Sequence, residues 1–160
     1  MLTSKTLWSD EALKRARICG GPIHKAVRSG IPRVGRPAVP AMRQLYLEKD
    51  AEIAKMAREK KLSDKAPGVL VFKGAALLGD LRAKEAVPDL LAGLRADARV
   101  SYYDEKTGGP GPPTHNAILD ALKKIGDPSA ANAVWAYASD AKTDDAVRPF
   151  AIDTYSWLGN

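Results

Sequence analysis

The sequence predicts an all-α fold, an α-α superhelix of about three to four stacked helix pairs. Three observations predict it. One phrase recurs along the chain, as Val34-Gly35-Arg36-Pro37-Ala38-Val39-Pro40, as Leu81-Arg82-Ala83-Lys84-Glu85-Ala86-Val87-Pro88 and as Ile125-Gly126-Asp127-Pro128-Ser129-Ala130-Ala131, and Leu158-Gly159-Asn160 begins it a fourth time. Superposition brings Gly35, Arg82, Gly126 and Gly159 to one position, at steps of 47, 44 and 33 residues. Two-helix repeats occupy roughly 30 to 47 residues, and self-similarity at that period marks a solenoid. The composition agrees: 45% of the chain is hydrophobic, only 6% is aromatic, and 26 residues are alanine, the best helix former. Finally, apolar residues recur at helical rather than alternating spacing, with Val100 to Tyr103 the one candidate strand.

The phrase has a physical reading. An apolar residue ends one helix. Glycine then takes the left-handed conformation that caps it. Asp, Pro or Ser opens the next helix, whose first turn tolerates proline because its N–H groups have no partner there. Pro40 and Pro88 fall in such first turns. Arg82 stands where the other three phrases have glycine, and a tighter or longer inter-helix turn is expected at that point.

The elements follow in order. Ser9 and Asp10 cap a helix over Glu11 to Cys19, which Gly20-Gly21-Pro22 ends. A short helix spans Ile23 to Ser29. Val39 to Lys61 is the longest helical run, with Met42, Leu45, Ile53 and Met56 near one stripe. Val69 to Asp80 is apolar on most sides, as in a helix held between neighbours. Glu85 to Ala96 is amphipathic. Residues 98–113 are a loop insertion, too rich in Gly and Pro for a helix. Helices resume over Thr114 to Lys124, Ser129 to Ser139 and Asp144 to Trp157. The units are thus 23–62, 67–97, 114–140 and a partial 144–160, all in one domain of 160 residues. The last unit has a first helix and no second, so the chain is expected to be a fragment of a longer array unless that helix is the cap.

Ala75-Ala76-Leu77-Leu78-Gly79-Asp80-Leu81, running into Lys84-Glu85-Ala86-Val87-Pro88-Asp89-Leu90-Leu91, resembles a HEAT repeat of the bacterial phycobilin-lyase-like type. Ala121-Leu122-Lys123-Lys124-Ile125-Gly126-Asp127-Pro128 is similar to the same repeat, and Val147-Arg148 with Ala151 resembles its opening. The resemblance covers residues 69–159 well and residues 23–61 less well. It implies an armadillo-like α-solenoid that binds other macromolecules, and it implies no catalytic residues and no cofactor.

The candidate chemistry is thin. His24 and His115 are the only histidines and lie far apart, and no cluster has metal-ligand spacing. Cys19 has no base near it in sequence. The glycines and prolines of 108–113 lack the lysine and Ser/Thr of a phosphate loop. Asp144-Asp145 reads as helix-start chemistry rather than a catalytic pair. No stretch of eighteen apolar residues is present, so no membrane span is expected. The single cysteine and the absence of an apolar leader favour the cytoplasm, with the periplasm open if the chain is a fragment.

Two features are candidates for binding. Residues 1–62 carry a net charge of +8, against −2 for the remainder. Between Ala12 and Leu47 there are eight basic residues and no acid: Lys14, Arg15, Arg17, Lys25, Arg28, Arg33, Arg36 and Arg43. Such a stripe meets an acidic protein or neutralises phosphates, or is a solvated face with arginine stems covering the end of the stack. The second feature is Tyr102-Tyr103 on the 98–113 insertion, since loops on rigid scaffolds commonly carry function and tyrosine is favoured at interfaces. Trp135, Tyr137, Tyr155 and Trp157 come at helical spacing and are expected to be core or to pack between repeats. The sequence therefore predicts a non-catalytic protein-interaction scaffold. The alternatives are a nucleic-acid-binding solenoid and an accessory domain of a larger enzyme.

Overall fold

Left-handed turns punctuate the chain at the superposed positions. A computed structural model describes residues 35–47, 49, 69–95, 101–104 and 109–159. Gly35, Arg82 and Gly126 have φ of 65°, 49° and 66°. Arg82 thus makes the same turn as the two glycines, although L-residues reach that region at a cost of about 1–2 kcal/mol. The expectation of a tighter or longer turn there is corrected. Gly159 is corrected too: its φ is −86°, an ordinary right-handed helix end.

Each left-handed residue leads, directly or after one residue, into a single 3-10 turn and then a helix. The 3-10 turns are Arg36–Ala38, Lys84–Ala86 and Pro128–Ala130. The helices they open are α1 (Val39–Tyr46), α3 (Val87–Arg95) and α5 (Ala131–Ser139). Preceding α3, α5 and the chain end are α2 (Val69–Asp80), α4 (Thr114–Ile125) and α6 (Arg148–Leu158). Burial repeats with the turns. Aligned through the 3-10 turns, the first unit being one residue shorter before its turn, Ala38, Ala86 and Ala130 are buried at one position, Met42, Leu90 and Val134 at the next, and Tyr46, Leu94 and Ala138 one turn later. These positions are four residues apart, the spacing that puts side chains on one helix face.

The described protein is predominantly helical. Helix α2 packs on α4, and α4 on α6; α3 packs on α5. Between these rows α1 meets α2, α3 meets α4 and α5 meets α6. Small residues set the closest approaches. A Cβ on Gly74 would lie 2.7 Å from the Tyr46 Cα, and one on Gly79 would lie 2.7 Å from the Ala121 Cα. Gly93 leaves the space that the Tyr46 hydroxyl fills. The core is one cluster of Ala, Leu, Ile, Val and Met around α2, α3 and α4.

Two further expectations change. The helical run Val39 to Lys61 is broken: α1 ends at Tyr46, and the Lys49 N–H donates to the Gln44 carbonyl at 2.9 Å, a six-residue closure typical of helix ends. The 98–113 insertion holds a hairpin rather than only a loop. Strand β1 (Ser101–Asp104) pairs antiparallel with β2 (Gly109–Pro113), with an irregularity between Ser101 and Tyr103. Tyr-Tyr favours a pleated strand, and prolines that cannot join a ladder are accepted at an edge or a bulge. The expected helices over 11–19 and 23–29, and the remainder of the run to Lys61, lie outside the described residues.

Candidate interaction surface

Helices α5 and α6 carry the exposed large apolar side chains of the described residues: Trp135 at 49%, Phe150 at 52%, Ile152 at 45% and Trp157 at 60% exposure. The phase of α6 explains why. Ala151, Thr154 and Leu158 form its buried face. Phe150 and Trp157, seven residues apart, flank it on one side, and Ile152 and Tyr155 flank it on the other. Trp135 of α5 lies against Tyr155 with ring centroids 4.9 Å apart. The Lys123 ammonium of α4 lies 5.3 Å from the Trp157 ring centroid and 2.7 Å from an Asp153 carboxylate oxygen. Trp135 and Trp157 therefore do meet the neighbouring unit, as expected, but neither is a core residue. Both stand at the surface, with one face against a neighbour, while Tyr137 and Tyr155 are half-buried.

The platform under these side chains is tied by Arg148. Its guanidinium donates to the carbonyls of Ala138 (2.5 Å), Asp140 (3.1 Å) and Thr143 (2.8 Å). The end of α5 and the start of α6 are thereby locked to one side chain, a cation placed where the helix dipole is negative. The Thr143 hydroxyl donates to the Tyr137 carbonyl at 2.5 Å. Asp140 and Asp144 each accept a backbone N–H two residues on, at 2.8 Å and 2.7 Å, the Asx turn expected of Asp in connections. Asp144 and Asp145 are thus turn and helix-start residues, with Asp145 reaching Arg148 at 3.5 Å.

The predicted basic residues go elsewhere. Arg36 donates to Glu85 at 3.0 Å and 3.2 Å, and Arg43 donates to Asp89 at 2.6 Å. Hydrogen bonding to Asp89, and then its charge, pushes the Arg43 guanidinium further up. Both arginines therefore tie the segment around α1 to the segment around α3. Lys124 makes the corresponding link between first-row helices, to Asp80 at 3.0 Å as well as to Asp120 at 2.7 Å. Arg15, Arg17, Lys25, Arg28 and Arg33, with Lys14, lie outside the described residues. Tyr102 and Tyr103 are on β1, where Tyr103 pairs with Pro110. Strand β1 is seated by α2 and β2 by α4, so the hairpin and the α5–α6 aromatics are built on different helices.

His115 is buried beside Tyr137, with ring centroids 5.4 Å apart. Among the described residues no three His, Cys, Asp or Glu side chains converge to hold a metal ion, and no helix is long and apolar enough to cross a membrane. Sequence reasoning missed Phe150, Ile152 and Arg148. A signal for the first was present, because Phe150 and Trp157 share one helical stripe. The sequence matches no family model, no curated protein and no solved structure.

Proposed function

We propose that this chain is a non-catalytic docking module, an α-α superhelix of HEAT-like helix pairs that holds a protein partner on its aromatic flank. The recurring left-handed turn and the recurring burial pattern support the repeat reading. One observation carries the functional part: Phe150 and Trp157 stand half-exposed on one side of α6, seven residues apart and so on one helical stripe. Grouped exposed apolar surface marks interaction sites, and aromatic anchors dominate binding energy at protein interfaces. The Lys123–Asp153 pair beside Trp157 supplies a polar rim. The nucleic-acid reading is weaker, because Arg36 and Arg43 are neutralised within the chain by Glu85 and Asp89.

Affinity capture from an extract tests this, with wild type run beside a Phe150→Ser/Trp157→Ser variant, followed by titration of the purified partner. The expected result is a partner bound by wild type and lost by the variant. Equal binding to both refutes the aromatic flank. Labelled DNA and RNA are titrated in parallel at about 50 and 200 mM salt, where phosphate contacts lose affinity steeply. Binding that collapses at the higher salt replaces the protein-partner reading with the nucleic-acid one.

A further inference from the structure

The two seams between first-row helices are built differently. Aligned through Arg82, Gly126 and Gly159, Gly79 of α2 and Lys123 of α4 hold one position, each facing the next helix of the row. At the seam of α2 and α4, glycine lets the backbones meet, since a Cβ on Gly79 would lie 2.7 Å from the Ala121 Cα. At the seam of α4 and α6 a lysine stands in that place. Its ammonium crosses to an Asp153 carboxylate oxygen at 2.7 Å and lies 5.3 Å from the Trp157 ring centroid. The ion pairs differ in the same sense. Lys124 ties α4 to Asp80 of α2, whose side chain is 23% exposed, whereas that of Asp153 is 66% exposed. Solvent and salt screen the second pair far more than the first. Helix α5 carries no charged residue. Lys123–Asp153 is therefore the one ion pair among the described residues that joins α5 or α6 to the preceding helices.

We propose that the seam of α4 and α6 is a hinge, across which α5 and α6 swing away together as one arm, with Lys123 as its exposed latch. This goes beyond the docking reading and does not depend on it. Local opening takes place where close apolar packing is sparse and polar links are solvated, and this seam has a solvated lysine where the other has touching backbones. The two helices of the arm leave together because they are pinned to each other. Arg148 holds the carbonyls of Ala138, Asp140 and Thr143, and Trp135 lies against Tyr155. The chain enters the arm through Gly126 and the 3-10 turn after it, a short connection of the kind that absorbs a hinge rotation. Phe150 shares the stripe of Trp157, which Lys123 covers in part, so opening widens the approach to both.

Hydrogen exchange of the full chain, read by mass spectrometry, tests it. In wild type α5 and α6 should show one common protection factor, lower than that of α2 and α4. Lys123→Gln, or a rise from about 50 to about 500 mM salt, should lower that protection about two- to fivefold in both helices at once, the size expected for an exposed ion pair, and leave α2 unchanged. Lys124→Gln, which cuts the tie to Asp80 instead, should leave α5 and α6 as in wild type. Protection lost in α6 ahead of α5 means that one helix opens alone and overturns the proposal. So does protection in α5 and α6 equal to that in α2 and α4, and so does protection that Lys123→Gln leaves untouched. Each of these failures leaves the partner-docking reading standing, because that reading is measured through Phe150 and Trp157.

Discussion

If Arg82 and Gly126 occupy the same turn, exchanging glycine between them should move stability in opposite directions. Arg82 holds φ of 49° and Gly126 holds 66°. A side chain in the left-handed region costs about 1–2 kcal/mol, and glycine there avoids that cost. Glycine in turn leaves the unfolded chain freer, which takes back about 0.4–1 kcal/mol. The net for Arg82→Gly is a stabilisation of about 1 kcal/mol. Gly126→Arg should destabilise by a similar amount, because a Cβ there meets only the Lys123 carbonyl, 3.9 Å away, and the cost is all in the backbone. In a chain of 160 residues that is about 2–4 °C in Tm per kcal/mol. Both residues are exposed, so packing does not obscure the comparison. Thermal and urea unfolding of the two single variants and of the double exchange reads it directly. The double variant should return close to wild type. An Arg82→Gly that loses stability, or a Gly126→Arg that is neutral, refutes the equivalence of the two turns.

Four further outcomes follow from the contacts. Gly79→Ala forces a Cβ to 2.7 Å from the Ala121 Cα, and overpacking of about 1–3 kcal/mol, less the helix gain of alanine, should lower the urea midpoint. Arg43→Ala should cost about 1–3 kcal/mol by leaving the largely covered Asp89 without its partner, whereas Arg36→Ala, in an exposed pair, should cost under about 1 kcal/mol; equal losses in chemical unfolding would contradict the difference in burial. Arg148→Ala leaves the carbonyls of Ala138 and Thr143 without that donor, and hydrogen exchange at the end of α5 and the start of α6 should rise more than elsewhere. The Lys124 ammonium is drawn down by burial, but hydrogen bonds and charge from Asp120 and Asp80 outweigh this and raise it above 10.5. A group raised on folding stabilises fully below its unfolded pKa and loses that contribution as pH rises through the folded value. Wild type should therefore lose its advantage over Lys124→Gln only above pH 10.5, as read by Tm against pH; an advantage that disappears at lower pH contradicts the pairing.

Much of the helical architecture was legible because it is written in local chemistry. Gly35, Gly126 and the prolines after them dictate turn and helix start with no help from distant residues. The Met42, Leu90 and Val134 positions follow from the same register. Arg82 misled because side-chain preference was read where tertiary packing decides the backbone; the buried Ala83 and Ala86 hold the turn in place. Strand β1 falls on the candidate strand Val100 to Tyr103, but its partner was missed because GPGPP reads as a breaker. The surface was harder still. Exposure is not a property of residue type, so aromatic side chains at helical spacing read as core. Ile152 is 45% exposed where its aligned counterparts Ala75 and Leu119 are buried, a difference that residue type does not announce. The arginines failed in the opposite sense. Arg36 and Arg43 look like a free stripe in sequence, and their acids, Glu85 and Asp89, lie 49 and 46 residues away, a distance no local pattern reveals.

The account stands on the stacking of aligned units, and one measurement tests that most directly. Ala92 of α3 and Ala136 of α5 are aligned, exposed and on helices that pack together. With Cys19 replaced by Ser, spin labels at Ala92→Cys and Ala136→Cys should sit on neighbouring helices whose axes are about 8–10 Å apart. The doubly labelled protein should then show strong dipolar broadening in its continuous-wave spectrum. A spectrum equal to the sum of the two singly labelled ones would contradict the stack.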